Sequence, residues 1–356
     1  MSQQRSGDRV TIIDVAREAN VSFATVSRVV NGKGYVSAQT REKVIQAMTR
    51  IGYTVNRQAR ALAGGRHQVI GLLVPDLDTS YIGEILRGID EELVANSYDL
   101  MLYTTHQRRT RESVFANSLT NGMTDGLLMI LPMAPEAYVD SIRRRGFPFV
   151  LIDHEGLDRE GPSVGATNRE GARQAMRYLL GLGHTRIGII TGNMDMDCAR
   201  ERLAGCEEAL AAAHLPVDSA LVRTGDFHRS LAFALTQELL ALPDPPTAIF
   251  AANDVSAFGV MDAIRTTGLR VPHDISVIGF DDIPDARWTH PPLTTVCQPM
   301  REMGQRAARM LLQSIEHPDL PPQRIELPTE LMVRETCQAP TRRVPPNKMA
   351  TDRPGP

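Results

Sequence analysis

One stretch near the N-terminus decides how this chain is organised: residues 11–31, with the sequence TIIDVAREANVSFATVSRVVN. Thr11 is a suitable N-cap for a first helix, with Asp14 in the capping-box position three residues later. The apolar period breaks at Asn20, and Ser22 can cap a second helix. Two short helices joined by a tight polar turn are typical of the helix-turn-helix motif, which places its second helix in the major groove of DNA.

A third helix follows, with Ser37 as its N-cap. The outward-facing residues at the start of the second helix are Phe23, Ala24, Ser27 and Arg28. A small helical bundle that binds a protein partner is the alternative interpretation of this N-terminal segment. Helical spacing predicts one small core shared by the three helices. The predicted core residues are Ile12, Val15, Ala16, Ala19, Val26, Val29, Val30, Val44, Ile45, Met48 and Ile51.

Charge is divided unevenly along the chain. Residues 1–66 contain 11 Lys and Arg against 4 Asp and Glu, a net charge of +7. Residues 67–338 contain 24 basic and 37 acidic residues, a net charge of −13, and residues 339–356 carry a net charge of +3. A basic segment binds a polyanion with release of counterions, whereas an acidic surface repels it. The N-terminal segment is therefore predicted to bind nucleic acid, and the body is not.

Several motifs resemble those of one protein family. Their order and spacing are similar to those of the lactose-repressor (LacI/GalR) family of bacterial transcription regulators. The resemblance implies a DNA-binding headpiece, a hinge and a two-lobed body that binds a small molecule. The motifs are TVSRVVN at 25–31, VSAQTREKV at 36–44, IGY at 51–53, NR at 56–57, ALAG at 61–64, VIGFDD at 277–282 and PPLTTV at 291–296.

The resemblance also implies which headpiece residues contact DNA. Phe23, Ala24 and Arg28 correspond to positions that face base edges. Arg28 can bind guanine O6 and N7 together, and the other two suit a thymine methyl group. Neutralisation of a phosphate is the alternative role for Arg28. Phosphate contacts, which set the register on the duplex, are expected from Thr11, Ser22, Ser27, Asn31 and Ser37.

Residues 56–67 form a link with helix-forming residues in its middle and two glycines near its end. So short a helix is marginal in water on its own. In the lactose-repressor family, the hinge helices of two subunits pair in the minor groove, and a pair of leucines opens a base step. Asn56 and Leu62 are the corresponding residues here, whereas Val55 stands where relatives usually carry proline. A flexible linker in which Leu62 has no special role is the alternative.

From Gln68 onward, apolar runs of strand length alternate with helical patterns. Buried apolar strands joined by helices indicate parallel sheets with helices on both faces. Two such series predict an α/β fold, with the headpiece followed by a two-lobed, periplasmic-binding-protein-like body of two parallel sheets. The strands are predicted near 69–74, 100–103, 126–131, 147–152, 186–191, 220–223, 248–251, 276–280 and 328–333.

A ligand cleft is predicted between the two sheets, because ligands of such folds bind beyond the carboxyl ends of the strands. Carboxylates there accept protons from hydroxyl groups, while arginine and asparagine hold ligand oxygens, which suits a polyhydroxylated ligand. An aromatic ring can stack on an apolar face of such a ligand. An acidic residue after a strand can instead be a helix N-cap. The resemblance, with positions at strand ends or at a helix start, indicates Asp153, Arg202, Asn253 and Asp281 as polar contacts. Tyr81 and Phe227 are the rings expected to stack on the ligand.

Five parts of the chain are therefore expected. Residues 1–56 form the headpiece, and residues 57–67 form the hinge helix or linker. Residues 68–167 plus 298–326 form an N-terminal α/β subdomain, and residues 168–297 plus 327–338 form a C-terminal one. Residues 339–356 are rich in proline and aperiodic, so a disordered tail is expected. The tail lacks the leucine heptads that tetramerise some relatives, and we therefore expect a homodimer.

Other classes of protein are disfavoured. The four cysteines form no CxxC pair and the nine histidines form no HExxH, so neither a metal nor a disulfide framework is expected. No phosphate loop, dinucleotide fingerprint or GxSxG motif is present, so we expect no cofactor and no enzyme activity. No segment has the length and hydropathy of a membrane span or an export signal, and a cytoplasmic, nucleoid-associated location follows as an expectation.

These observations predict a sequence-specific DNA-binding regulator. It would bind pseudo-palindromic operator DNA as a homodimer and repress carbohydrate-utilisation genes under the control of a sugar. A purine or another metabolite acting as corepressor is the alternative effector. A two-lobed binding protein without a DNA role and an α/β enzyme are the rivals from other classes.

Overall fold

The computed structural model describes residues 10–31, 34–53, 66–77, 80–106, 108–132, 138–154 and 161–341. The chain divides into two compact units, Met1–His67 and Gln68–Pro356. Asn56 and Leu62, the predicted hinge residues, lie outside the described residues.

The first unit contains three helices, α1 (Ile12–Glu18), α2 (Phe23–Asn31) and α3 (Ala38–Ile51). Their predicted caps are confirmed. The Thr11 hydroxyl and the Asp14 carboxylate form a reciprocal capping box at α1. Ser22 and Ser37 accept backbone N–H bonds from residues three positions later, at 3.1 and 3.2 Å. Each cap satisfies a helix N–H that would otherwise lack a partner.

The core of this unit agrees with the predicted one except on α3. Val15, Val26 and Val44 are fully buried, whereas Ile45 is 51% exposed and Ala47 is buried instead. Val44 and Ala47 are three residues apart and share one helix face, whereas Ile45 is turned about 100° away from Val44. The prediction that Ile45 belongs to the core is therefore wrong.

The second unit contains two six-stranded sheets. The first sheet has the order β11-β5-β4-β3-β1-β2 and the second has the order β12-β10-β9-β8-β6-β7. Their strands are β1 (Val69–Val74), β2 (Asp99–Thr104), β3 (Gly126–Ile130), β4 (Phe149–Ile152), β5 (Ser163–Ala166), β6 (Ile187–Ile190), β7 (Val222–Arg223), β8 (Ala248–Ala251), β9 (Ser276–Asp281), β10 (Thr294–Cys297), β11 (Arg324–Leu327) and β12 (Glu330–Met332).

All strand pairs are parallel except β10 with β12. Eight helices cover the sheets in the described part of this unit, and each sheet with its helices is termed a lobe below. The helices of the first lobe are α4 (Ser80–Ala95), α5 (Arg109–Thr120), α6 (Val139–Arg144) and α11 (Met300–Glu316). Those of the second lobe are α7 (Asn168–Gly181), α8 (Asp197–Ala212), α9 (Arg229–Leu240) and α10 (Asp254–Thr266).

The chain passes between the lobes three times, after β5, after β10 and after β11. Ile283 of the second lobe packs into the apolar core of the first lobe, and Val255 and Phe258 lie against that core. The lobes are therefore in direct apolar contact beside the cleft. No helix among the described residues is long and apolar enough to cross a membrane.

Candidate functional site

A cavity lies between the lobes, at the carboxyl ends of the strands. Its volume is about 770 Å³, counting the part open to solvent. All six residues predicted to bind the effector line it, namely Tyr81, Asp153, Arg202, Phe227, Asn253 and Asp281. The two lobes thus bring together side chains that are separated by up to 200 positions in the sequence.

Strand ends position three of these side chains. Asp153 directly follows β4, Asn253 lies two residues after β8, and Asp281 is the last residue of β9. Because the strands within each sheet are parallel, their carboxyl ends meet at one edge and direct these polar groups toward the cleft.

The backbone around the cavity is unusual. Leu131, Asp153, Phe227 and Asp281 have φ angles of 47°, 56°, 60° and 118°, and all four line the cavity. Residues other than glycine rarely adopt positive φ angles, because this backbone conformation costs about 1–3 kcal/mol per residue. Backbone strain of this kind concentrates at ligand-binding sites, where it orients side chains.

A continuous hydrogen-bonded network crosses from one lobe to the other. The Tyr81 hydroxyl donates to Asp153 Oδ2 at 2.8 Å, and Asn168 Nδ2 donates to Asp153 Oδ1 at 3.2 Å. Asn168 in turn accepts from Arg202 Nε at 2.9 Å. Asn168 begins α7, directly after the first crossover, so this network lies at the joint between the lobes.

Arg202 is the buried cation of the site and is only 2% exposed. Its Nη1 donates to the backbone oxygen of Ala252 at 2.5 Å and to Asp281 Oδ1 at 3.3 Å. Its guanidinium carbon lies 3.8 Å from the centroid of the Phe280 ring, a cation–π contact. Gln298 Nε2 donates to the same Asp281 oxygen at 2.7 Å.

Burial changes the protonation behaviour of two acidic groups here. Burial raises the pKa of Asp281 to about 7, although Arg202 and Gln298 favour its charged form. Burial and the nearby Asp153 carboxylate raise the pKa of the Tyr81 hydroxyl well above its usual value, which keeps it a hydrogen-bond donor. Asp281 can therefore either accept or donate a hydrogen bond near neutral pH.

Asn253 and Phe227 support each other on the second lobe. Asn253 Oδ1 accepts from the N–H of Ser256 at 2.9 Å and caps α10. Its Nδ2 donates to the backbone oxygen of Phe227 at 3.3 Å. Asn253 is therefore both a helix cap and a cavity residue. A Cβ atom at Gly192 would overlap the Phe227 ring, so the glycine lets this ring lie close to the backbone there.

The structure also brings other residues to the cavity or behind it. Asn193, Met196, Cys198, Asp226 and His228 line it, and Asn168 joins its two halves. Asn193 lies three residues after the end of β6, so its position beyond a strand end could have identified it. No sequence pattern indicates Cys198 or Asn168, because both act through contacts with distant segments.

The headpiece presents its predicted DNA-binding residues on the surface. Phe23, Ala24 and Arg28 are exposed on α2, and Ser27 is half-buried. Thr11, Ser22 and Ser37 are exposed, and each accepts a hydrogen bond from the backbone N–H of its own helix. Asn31 is the last residue of α2, and its side chain lies outside the described residues. Tyr35, which the sequence did not indicate, is 92% exposed.

Comparison with known proteins gives matches over both units. Residues 11–56 match the family described as bacterial regulatory proteins, lacI family, and residues 176–337 match the periplasmic binding protein-like domain. The transcriptional repressor PurR of Vibrio campbellii is 33% identical over 329 residues, which are 92% of this chain and 98% of that protein.

Two solved structures extend the comparison. A lac repressor dimer bound to operator and the anti-inducer ONPF is 32% identical, with a TM-score of 0.84, and the match covers 93% of this chain and all of that one. A complex of the transcriptional regulator CelR with cellobiose is 34% identical, with a TM-score of 0.71 over 92% of this chain and all of that one.

Proposed function

Because the chain belongs to the lacI family of bacterial regulatory proteins, we propose that it is a homodimeric repressor whose operator affinity depends on a sugar bound between its lobes. The observation that carries the proposal is the convergence of Asp153, Arg202, Asn253 and Asp281 on one cavity. Carboxylates from both lobes can accept hydrogen bonds from hydroxyl groups, while the arginine and the asparagine can donate to ligand oxygens.

The headpiece is proposed to read a pseudo-palindromic operator. Arg28 would bind a guanine edge, with Phe23 and Ala24 against thymine methyl groups. Asn56 would contact DNA at the start of the hinge, and Leu62 would insert into a base step in the minor groove. The contacts with the DNA phosphates would come from Thr11, Ser22, Ser27, Asn31 and Ser37.

Effector control follows from the two-lobed body. A sugar that contacts Asp153 on one lobe and Arg202 on the other would favour one relative arrangement of the lobes, and a coupling of about 1–3 kcal/mol is enough to change operator occupancy. We also propose that the protein acts in the cytoplasm, at the nucleoid, without enzyme activity, metal or cofactor. The similarity to PurR keeps a purine corepressor as the alternative effector.

The test combines DNA binding with an effector screen on the full chain. Fluorescence anisotropy should show a palindromic promoter fragment bound about 10³-fold or more tightly than random duplex. Thermal-shift measurements with sugars and nucleobases should then identify the ligand, since a ligand that binds the folded state raises Tm. Equal affinity for palindrome and random duplex, with and without these metabolites, would refute the proposed function.

A variant of Arg202 links the two halves of the test. Arg202→Gln should abolish the effect of the identified ligand on operator affinity, because Asp281 and Asn168 then lose their shared partner. Operator affinity without ligand should stay within about threefold of the unmodified chain, since α2 is unchanged. A full ligand response in the variant would contradict the role given to Arg202.

A further inference from the structure

The side chains around the interlobe cavity carry an excess of negative charge. Four aspartates line it, Asp76, Asp153, Asp226 and Asp281, against one arginine, Arg202, among the described residues. Burial raises the pKa of Asp281 to about 7, so part of its population is neutral at physiological pH. Even with Asp281 protonated, the other three carboxylates exceed the single guanidinium by two charges.

The positive charge of Arg202 is already compensated within the protein. Asp281 contacts its Nη1, and its Nε donates to Asn168. One face of the guanidinium lies on the Phe280 ring. A ligand can still accept a hydrogen bond from Arg202, but where Asp281 is charged its carboxylate offsets the charge of the guanidinium.

The histidine of the cavity lies at its mouth. The side chain of His228 is half-exposed, and its Nε2 lies 4.0 Å from Asp226 Oδ2. Solvent therefore screens the interaction of this side chain with a ligand inside the cavity.

Helix N-termini often attract anions, and four helices contribute cavity residues from their N-terminal ends. Two of them, α8 and α10, have an acidic side chain in the first turn, whereas α4 and α9 do not. Asp197 is in the first turn of α8 and Asp254 is in the first turn of α10. Asp254 is fully buried and accepts from the N–H of Ile283 at 2.9 Å and from the Thr295 hydroxyl at 2.5 Å. The positive end of the α8 dipole therefore already has an acidic side chain beside it, whereas burial raises the pKa of Asp254 in α10 well above its usual value.

From this balance we infer that the effector bears no negative charge: it is a neutral polyhydroxylated sugar or its amine-bearing counterpart, and uronates and sugar phosphates are excluded. The inference rests on the proposed function and narrows its ligand class. An anionic group placed among the carboxylates would be repelled in a partly desolvated site, where charges interact more strongly than in water. Hydroxyl groups would instead use the same carboxylates as acceptors.

The test compares sugars that share a ring and differ in charge. Isothermal titration of the full chain at pH 7.5 would use glucose, glucosamine, glucuronate and glucose 6-phosphate, then galactose with galacturonate, ribose with ribose 5-phosphate, and cellobiose. At least one neutral or amine-bearing sugar should bind, and its anionic counterpart should bind about tenfold or more weakly. A uronate or a sugar phosphate that binds more tightly than its neutral counterpart overturns the inference and leaves the sugar-responsive function intact.

A variant that removes one carboxylate distinguishes electrostatic repulsion of an anionic ligand from steric exclusion by the cavity. Asp226→Asn should strengthen binding of the anionic counterpart about threefold or more relative to the neutral sugar. The matched control Asp319→Asn removes an exposed carboxylate that does not line the cavity, and it should leave the ratio unchanged. An unchanged ratio in Asp226→Asn would show that shape alone excludes anions and would contradict the electrostatic argument.

A different pattern of ligand binding would show that the proposed sugar-responsive function is wrong. If no sugar of any charge binds while hypoxanthine or guanine does, the sugar effector itself is overturned, and the inference with it. Operator binding measured on the same preparation shows whether the chain is folded and active in DNA recognition.

Discussion

Asp281 is a buried carboxylate that contacts Arg202 and Gln298 and lines the cavity. Water is the best solvent for a carboxylate, so burial favours its neutral form and raises its pKa to about 7 from 3.8. Only the neighbouring guanidinium and amide keep the charged form accessible. A single residue thus combines a position in the cavity wall with a cost in stability.

Asp281→Asn should change how stability depends on pH. Because the folded-state pKa of Asp281 is raised, its favourable contribution is complete below about pH 4 and is lost as pH rises through about 7. The free energy of unfolding of the variant, relative to the unmodified chain, should therefore increase between pH 5 and pH 8, by about 1–3 kcal/mol. Urea unfolding at both values measures this, with Asp319→Asn as the exposed control. The same difference at both pH values would contradict the raised pKa.

Arg28 allows a second prediction at this scale. Its side chain is exposed on α2, with its stem beside Gly34. If it binds a guanine edge, Arg28→Ala should weaken operator binding by about 1–3 kcal/mol per half-site and relax the preference at one base pair. Anisotropy titrations against operators substituted at each position would show this. Uniform weakening with a smaller salt dependence would instead identify a phosphate contact.

Helix pairs in the body approach closely at glycines. A Cβ atom at Gly88 of α4 would overlap the backbone oxygen of Arg301 at the start of α11, and one at Gly304 of α11 would overlap that of Ile85. A Cβ atom at Gly205 of α8 would likewise overlap the backbone oxygen of Arg169 in α7. These contacts hold helices of distant sequence against one another, and they require the absence of a side chain.

Two alanine substitutions in α4 should therefore have opposite effects. Gly88→Ala should destabilise the body by about 3 kcal/mol, because the backbone of α11 must move. Gly83→Ala in the same helix has no atom within 4 Å of its new Cβ and should stabilise by about 0.5–1 kcal/mol through helix propensity. Thermal or urea unfolding would measure both, and equal effects would refute the packing argument.

At the scale of the whole molecule, polar and apolar contacts join the two lobes. Asp153 of the first lobe binds Asn168 of the second, and Ile283 of the second lobe packs into the core of the first. Asn168 lies directly after the first segment where the chain crosses between the sheets. A ligand that changes the network can thus change the relative arrangement of the lobes, which is the change that the proposed regulation needs.

The hinge prediction also belongs to the whole molecule, although Leu62 lies outside the described residues. If two hinges meet in the minor groove of a bound operator, Leu62→Ala should weaken operator binding by tenfold or more, since the wedge is lost. Binding to random duplex should change by less than about twofold, because it depends on charge rather than on the wedge. Equal losses on both DNAs would support the flexible-linker alternative.

Local features of this protein were readable from the sequence. The caps at Thr11, Ser22 and Ser37 form within three residues of the capping side chain, so a short motif contains all that is needed. The long apolar strands were also recognised, because burial on both faces requires continuous apolar runs. The six cavity residues came from strand ends and from family resemblance together.

The tertiary structure alone decided the rest. Strands β5, β10 and β11 were not predicted individually, because their sequences, SVGA, TTVC and RIEL, contain no continuous apolar run. The predicted strand at 220–223 is a 3₁₀ turn at Ser219–Leu221 followed by two strand residues. The network through Asn168 and the charge balance of the cavity both depend on segments that meet only after the chain has crossed between the sheets. Interactions of that kind have no local sequence pattern, because their geometry is set by packing rather than by neighbours in the chain.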